Sequence, residues 1–215
     1  MSDCCSPKGY QWIFSERTAR ADAQSYRRKG LDATSQRIVD YLKERGVEGR
    51  TLLEVGGGVG AIQIELLRAG ATRAISVELT PTHEQVALEL LREGGLEDRV
   101  DRTVMDFART ANEFAMADIV IMNRVICCYP DMPVLAGAAA DRAGEVLVMS
   151  FPRRTWWTRS LLSIGNFALR VTRRQFQVFI HPPAHILAEA ERHGLRKALD
   201  KPGRFWQVAA AQRAP

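Results

Sequence analysis

Between residues 50 and 151, short apolar runs alternate with longer stretches whose apolar positions recur every three to four residues. "RTLLEV", "RAISVEL", "RVDRTVMDF", "ADIVIMN" and "EVLVMSF" read as five strands. The stretches between them read as helices: "AIQIELLRAG", closed by Gly70; "PTHEQVALELLREGG", with Pro81 near its start; and "MPVLAGAAADRAG". Strand and helix in alternation predict a largely parallel sheet covered on both faces. Upstream, the first part of the chain, to about residue 30, is polar and basic ("SERTARADAQSYRRKG") and predicts one helical stretch. Asp32 then caps a second helix carrying Ile38, Val39 and Leu42 on one stripe. Beyond Phe151 the pattern changes. "PRRTWWTRSLLSIGNFALRVTRRQ" is basic, aromatic and free of acid, with Trp157, Leu161, Ile164 and Ala168 at helical spacing. A further helix ends at Gly194, and "LRKALDK" and "RFWQVAAAQR" would form a terminal hairpin.

The chemistry concentrates in "LLEVGGGVGA", where the first strand turns into a helix. Glycines permit a sharp turn there and let a ligand approach the backbone. Two templates fit. Gly56, Gly58 and Ala61 match the dinucleotide pattern G-x-G-x-x-G/A. Glu54, Gly56, Gly58 and Gly60 match E/D-x-G-x-G-x-G, the first motif of the class I methyltransferases that bind S-adenosylmethionine (SAM). The second pattern also asks for an acid ending the second strand, where Glu78 stands beside Leu79. After the third strand it asks for another acid, where Asp106 precedes Phe107.

On these features the chain resembles the class I SAM-dependent methyltransferases. "FSERTARADAQSYRRKGLD" and "VLVMSFPRRT…LLSIGN…FIHPPAHI" are similar to the magnesium-protoporphyrin O-methyltransferases, which methylate a porphyrin carboxylate. Glu54 stands where that family more often has aspartate, and the cysteine pairs described below are not part of its pattern. The resemblance implies an α/β, Rossmann-like fold with a mostly parallel seven-stranded sheet, helices on both faces and a C-terminal antiparallel hairpin. It implies an N-terminal cap or arm over residues 1–30, a methyltransferase domain over 31–215, and a lid or insertion at 152–175. SAM would be the cofactor. Glu78 would take the ribose, Asp106 and Phe107 the adenine, with Asn123 closing the fourth strand. The activity would be methyl transfer to a small molecule, a carboxylate or a thiol or metalloid. A non-catalytic SAM- or metal-binding module and an NAD(P)-dependent oxidoreductase stand as alternatives.

Two adjacent cysteine pairs, Cys4/Cys5 and Cys127/Cys128, both read Cys-Cys-x-Pro. Cys127, Cys128 and Tyr129 follow the fourth strand, at the sheet edge where open α/β folds bind ligands, so they are candidate reaction-site residues. Neighbouring cysteines do not readily bond one another. Arm and loop would therefore have to meet for the four thiols to form a redox pair or a soft-metal site. Their spacing is not that of standard zinc sites. His181, in "FIHPP", is the candidate base or acceptor-positioning group, its bland alternative being a bond to a loop carbonyl. His83, His185 and His193 read as ordinary helix residues. Tyr26, Arg27 and Arg28 would reach an anionic ligand or form a solvated basic face.

The formal charge of +5 is spread along the chain, and no separate RNA-binding module is visible, which argues against a nucleic-acid partner. No apolar run reaches membrane-spanning length and no signal peptide is evident, so a cytoplasmic location is expected. The insertion at 153–174, alternately basic and apolar, is a candidate for membrane-surface contact.

Overall fold

The computed structural model describes residues 7–174 and 176–214. Cys4 and Cys5 lie outside them. Seven strands form one sheet in the order β3-β2-β1-β4-β5-β7-β6. They are β1 (Thr51–Val55), β2 (Arg73–Glu78), β3 (Val100–Val104), β4 (Ala117–Asn123), β5 (Ala143–Pro152), β6 (Leu195–Pro202) and β7 (Trp206–Arg213). The first five pair in parallel, and β7 runs antiparallel to both β5 and β6.

The helices are α1 (Pro7–Ile13), α2 (Glu16–Lys29), α3 (Ala33–Arg45), α4 (Ala61–Arg68), α5 (Glu84–Gly94), α6 (Phe107–Thr110), α7 (Met132–Arg142), α8 (Trp156–Val171) and α9 (Pro183–Arg192). What reads in sequence as one N-terminal helical stretch is two. The chain breaks at Phe14, and the Ser15 hydroxyl caps α2 by accepting from the Thr18 amide at 3.3 Å. Asp32 caps α3 by accepting from the Thr34 amide at 2.9 Å.

Strand side chains alternate between faces with period two, and the central strands show why both faces had to be apolar. Leu52, Ile119, Ile121 and Val148 point to a layer with Ile38, Leu42, Ile64 and Leu91 of α3, α4 and α5. Their neighbours Leu53, Val120, Met122 and Leu147 point to the opposite layer, with Leu135, Ala136, Ile186 and Ala190 of α7 and α9. Ala19 and Ala23 of α2 are fully buried in the first layer, so α2 joins the main core.

Helix α8 departs from this scheme. Of its residues only Thr158 is buried, and its large apolar side chains are mostly exposed.

Candidate active site

The order of strands reverses between β1 and β4, and a crevice opens there beyond the carboxyl ends of the strands, the general ligand position in open α/β sheets. A cavity of about 420 Å³ occupies it, within the usual range for small-molecule sites. Its floor is the turn after β1. Gly56, at φ +65°, is hemmed by Val125, whose Cγ2 would lie 2.8 Å from an added Cβ. At Gly57 the same test meets the Glu54 carboxyl carbon at 2.5 Å. Any side chain at these positions would displace the wall, so the turn presents backbone alone.

Glu78 ends β2 on the cavity wall, 8% exposed, and accepts from the Gly58 amide at 2.6 Å. Burial pushes its carboxyl up to about 8, against the pull of Arg102 and the Gly58 amide. Glu54 lies behind the turn rather than on the cavity surface. Its burial is complete, and its carboxyl is pushed up to about 7, with Arg102 opposing. Arg102 is the buried counter-charge of this cluster. It reaches Glu84 at 3.0 Å, the Ser76 hydroxyl at 3.1 Å and the Gly58 carbonyl at 3.2 Å. Sequence reading missed it, since an arginine in a strand carries no motif.

On the β3 side, Asp106 and Phe107 line the cavity. The Tyr129 hydroxyl lies 3.3 Å from one Asp106 oxygen, and Arg109 pairs with the other at 3.4 Å. On the β4 side, Asn123 is fixed by a relay in which its amide donates to Ser35 (3.1 Å) while its oxygen accepts from Ser150 (2.6 Å). Leu79 also lines the wall.

The structure adds wall residues that sequence reasoning did not single out for the site. Arg124 adopts φ +63°, a strained conformation for a side-chain-bearing residue. It pairs with Asp32 and stacks over Trp206 at 5.0 Å. Burial raises the Asp32 carboxyl, but the bonds from Ser35, Arg124 and two amides outweigh it and hold Asp32 below its ordinary value. Asp22, with its carboxyl pushed up by burial, and the buried His83 complete that side. His83 is thus a cavity residue, not the ordinary helix residue expected: Pro81 starts a 3-10 turn that swings it inward ahead of α5. Burial lowers its pKa. Tyr10 and Phe14 reach over the cavity from α1 and its C-terminal end. Tyr10 donates to the Cys128 carbonyl, and both rings meet Phe176 edge-on, at 5.5 and 5.8 Å.

Several sequence candidates fall elsewhere. A 3-10 turn over Ile126–Cys128 sets consecutive side chains roughly 120° apart. Cys128 therefore lines the cavity, while Cys127 is buried behind it with its thiol 3.4 Å from the Arg124 carbonyl. Their sulfurs are 3.8 Å apart. Among the described residues no His/Cys/Asp/Glu group could hold a metal ion, and the proposed four-thiol site involves residues outside them. His181 is not on the cavity surface. Its Nε2 lies 3.1 Å from the Tyr129 carbonyl, the loop-bracing role weighed as its alternative, and burial lowers its pKa. Gly60 serves as the left-handed entrance to α4. Tyr26 lines the cavity and donates to Glu65 at 2.6 Å, whereas Arg27 is spent outside on Glu93 at 2.6 Å.

A glycine turn after β1, acids ending β2 and following β3, and an antiparallel β7 inserted beside β5 together define the class I methyltransferase fold. Dinucleotide-binding folds differ, with the order 3-2-1-4-5-6.

Solved structures agree. Magnesium protoporphyrin IX methyltransferase from Synechocystis PCC 6803, with bound S-adenosylhomocysteine (SAH), superposes with a TM-score of 0.70 at 21% identity, covering 84% of this chain and 82% of that one. An O-methyltransferase family protein from Burkholderia thailandensis gives 0.71 at 22% identity, over 92% and 60%. Among curated proteins, ribosomal protein L11 methyltransferase of Enterobacter sp. (strain 638) is 26% identical over 120 residues, or 56% of this chain and 36% of that protein. Its counterpart from Sorangium cellulosum is 35% identical over 109 residues, 50% of this chain and 34% of its own length. The chain thus spans about a third of the length of these curated relatives. No family model matches it.

Proposed function

We propose that this chain is a SAM-dependent methyltransferase acting on a small-molecule acceptor. The observation that carries this reading is the meeting of the glycine turn, Glu78 and Asp106 on one cavity in this sheet order. The solved relatives with bound SAM or SAH support it. When bound, SAM would supply a sulfonium methyl group, whose carbon an acceptor would attack in line as the carbon–sulfur bond breaks and SAH leaves.

The chain's own residues suit such a ligand. Backbone at Gly56–Gly58 can lie against the nucleoside, because no side chain intervenes. Glu78 would accept from both ribose hydroxyls, and Asp106 from the adenine amine, with Phe107 beside the ring. Asp32 and Asp106 give the cavity an acidic lining that favours a cation, while Arg124 offers the counter-charge for a terminal carboxylate. These groups position donor and acceptor and exclude water, the main protein contribution to such a displacement.

Cys128 and Tyr129 would face the acceptor, and His181 would act through Tyr129 as a positioning residue. A carboxylate acceptor, suggested by the protoporphyrin-methylating relative, needs no base.

The test is calorimetric titration of SAH into the purified chain, beside Glu78→Ala. Binding is expected, with affinity lowered by about tenfold or more in the variant, as for loss of hydrogen bonds to a charged group. An absence of binding by the unaltered protein would overturn the reading. Binding with no turnover across carboxylate, hydroxyl and thiol acceptors would favour a non-catalytic module.

A further inference from the structure

Helix α8 rises from the carboxyl end of β5 and packs its inner side against the domain through buried Thr158 and half-buried Leu162, Asn166 and Leu169. Asn166 clamps the returning chain, accepting from the Val178 amide at 2.9 Å and donating to its carbonyl at 2.7 Å. The opposite side is apolar and uncovered. Trp156 is 81% exposed, Ile164 68% and Phe167 69%, with Leu161 and Val171 also out. At about 100° per residue these five fall within an arc of roughly 140°. A stripe of this kind on a folded domain marks an interaction surface.

Its charge identifies the occupant. From Phe151 to Ala188 there is no acidic residue. Exposed Arg154 stands before the first turn, Arg159 and Arg170 border the stripe, and Arg173 and Arg174 follow the last turn. Cations at both ends of a straight helix, with apolar side chains between them, match a flat array of phosphates over hydrocarbon. A second copy of the chain fits poorly. A two-fold contact along this stripe would set arginines against arginines with no acid in the segment to offset them. No helix of the described residues is long and apolar enough to cross a bilayer, so the contact would lie in the interface plane.

We infer that α8 is a membrane-docking helix, which seats its Trp156–Phe167 face in the interface of an anionic bilayer. The chain after α8 returns through Phe176, which touches Tyr10 and Phe14 over the cavity, and Phe179, whose amide donates to the Cys127 carbonyl at 2.7 Å. Docking would therefore hold the cavity close to the bilayer surface, where a lipid-soluble acceptor would partition. The docking itself does not depend on the methyl-transfer reading, and either can fail while the other stands.

The experiment is flotation of the full chain with vesicles of phosphatidylcholine alone or mixed with phosphatidylglycerol. Association with the mixed vesicles is expected at about tenfold or more above that with neutral ones, falling as salt rises. The double variant Ile164→Asp/Phe167→Asp should lose it by about tenfold or more. Both side chains are exposed, so the variant should keep its circular dichroism and SAH affinity. Flotation with neither vesicle, or flotation unchanged in the folded double variant, would overturn the inference. A concentration-dependent dimer abolished by the same variant, without vesicle binding, would assign the stripe to a second copy instead.

Discussion

Glu78 shows how one residue carries both the fold and the candidate chemistry. Its carboxyl sits near 8 because burial penalises the charge more than Arg102 and the Gly58 amide relieve it. The unfolded carboxyl titrates near 4.5. The folded chain therefore holds the proton more tightly, and the stability this adds is full below pH 4.5 and lost as pH rises through 8. Glu54, near 7, acts in the same direction. The thermal midpoint of the ligand-free protein should fall across this window, and Glu78→Gln should flatten the upper part of the decline. Ribose hydroxyls donating to Glu78 would favour its ionised form. Binding of SAH near pH 7 should then release a proton, visible as a dependence of calorimetric heat on buffer ionisation enthalpy. Equal heats in all buffers would show that Glu78 does not ionise on binding. Glu78 and Asp106 were legible in sequence because each sits where a strand ends at a fixed place in the pattern. Arg124, Asp22, Asp32 and His83 were not legible as site residues, because only the folding of α2, the α3 cap and the Pro81 turn brings them to one cavity.

Among the elements, the turn after β1 tolerates least change. Gly56→Ala would place a Cβ 2.8 Å from Val125 Cγ2 on a backbone at φ +65°. Strain of this kind costs on the order of 1–3 kcal/mol, and relief would push Val125 or the turn into the cavity. The expected outcome is a loss of SAH affinity larger than the loss of stability, read by titration beside urea unfolding. The central parallel strands β4 and β5 were easy to read because a sheet covered on both faces demands long apolar runs there. The break between α1 and α2 was not, since no glycine or proline marks it and the Ser15 cap is a matter of local geometry. Helix α8 was legible as a helix, but its orientation was not. Periodicity shows that a helix has an apolar stripe, and only packing shows whether that stripe is buried.

For the whole molecule, ligand binding and folding are linked, because the cavity walls come from α2, α3, the three central strand ends and the Ile126–Cys128 turn together. Free SAH at a hundred times its dissociation constant should add about 2.7 kcal/mol of stability. For a domain of this size that raises the melting temperature by roughly 5–10 °C. Differential scanning fluorimetry checks this, and an unshifted midpoint at saturating nucleoside would contradict the cavity assignment. The placing of β7 between β5 and β6 also belongs to this scale, since it separates this sheet from the dinucleotide-binding order.

The sequence by itself determined the alternating α/β pattern, the terminal hairpin, the glycine turn and the two acids beside it. Each rests on local rules: periodicity, turn chemistry and the side-chain demands of a strand covered on both faces. Only the tertiary structure decided that Cys128 faces the cavity while Cys127 turns away, that His181 braces Tyr129, and that the buried Arg102 pairs with Glu84 beside Glu54 and Glu78. It also decided that α8 turns its apolar face outward. These are relations between residues far apart in the chain, set by which surfaces pack together, and no local pattern encodes that choice.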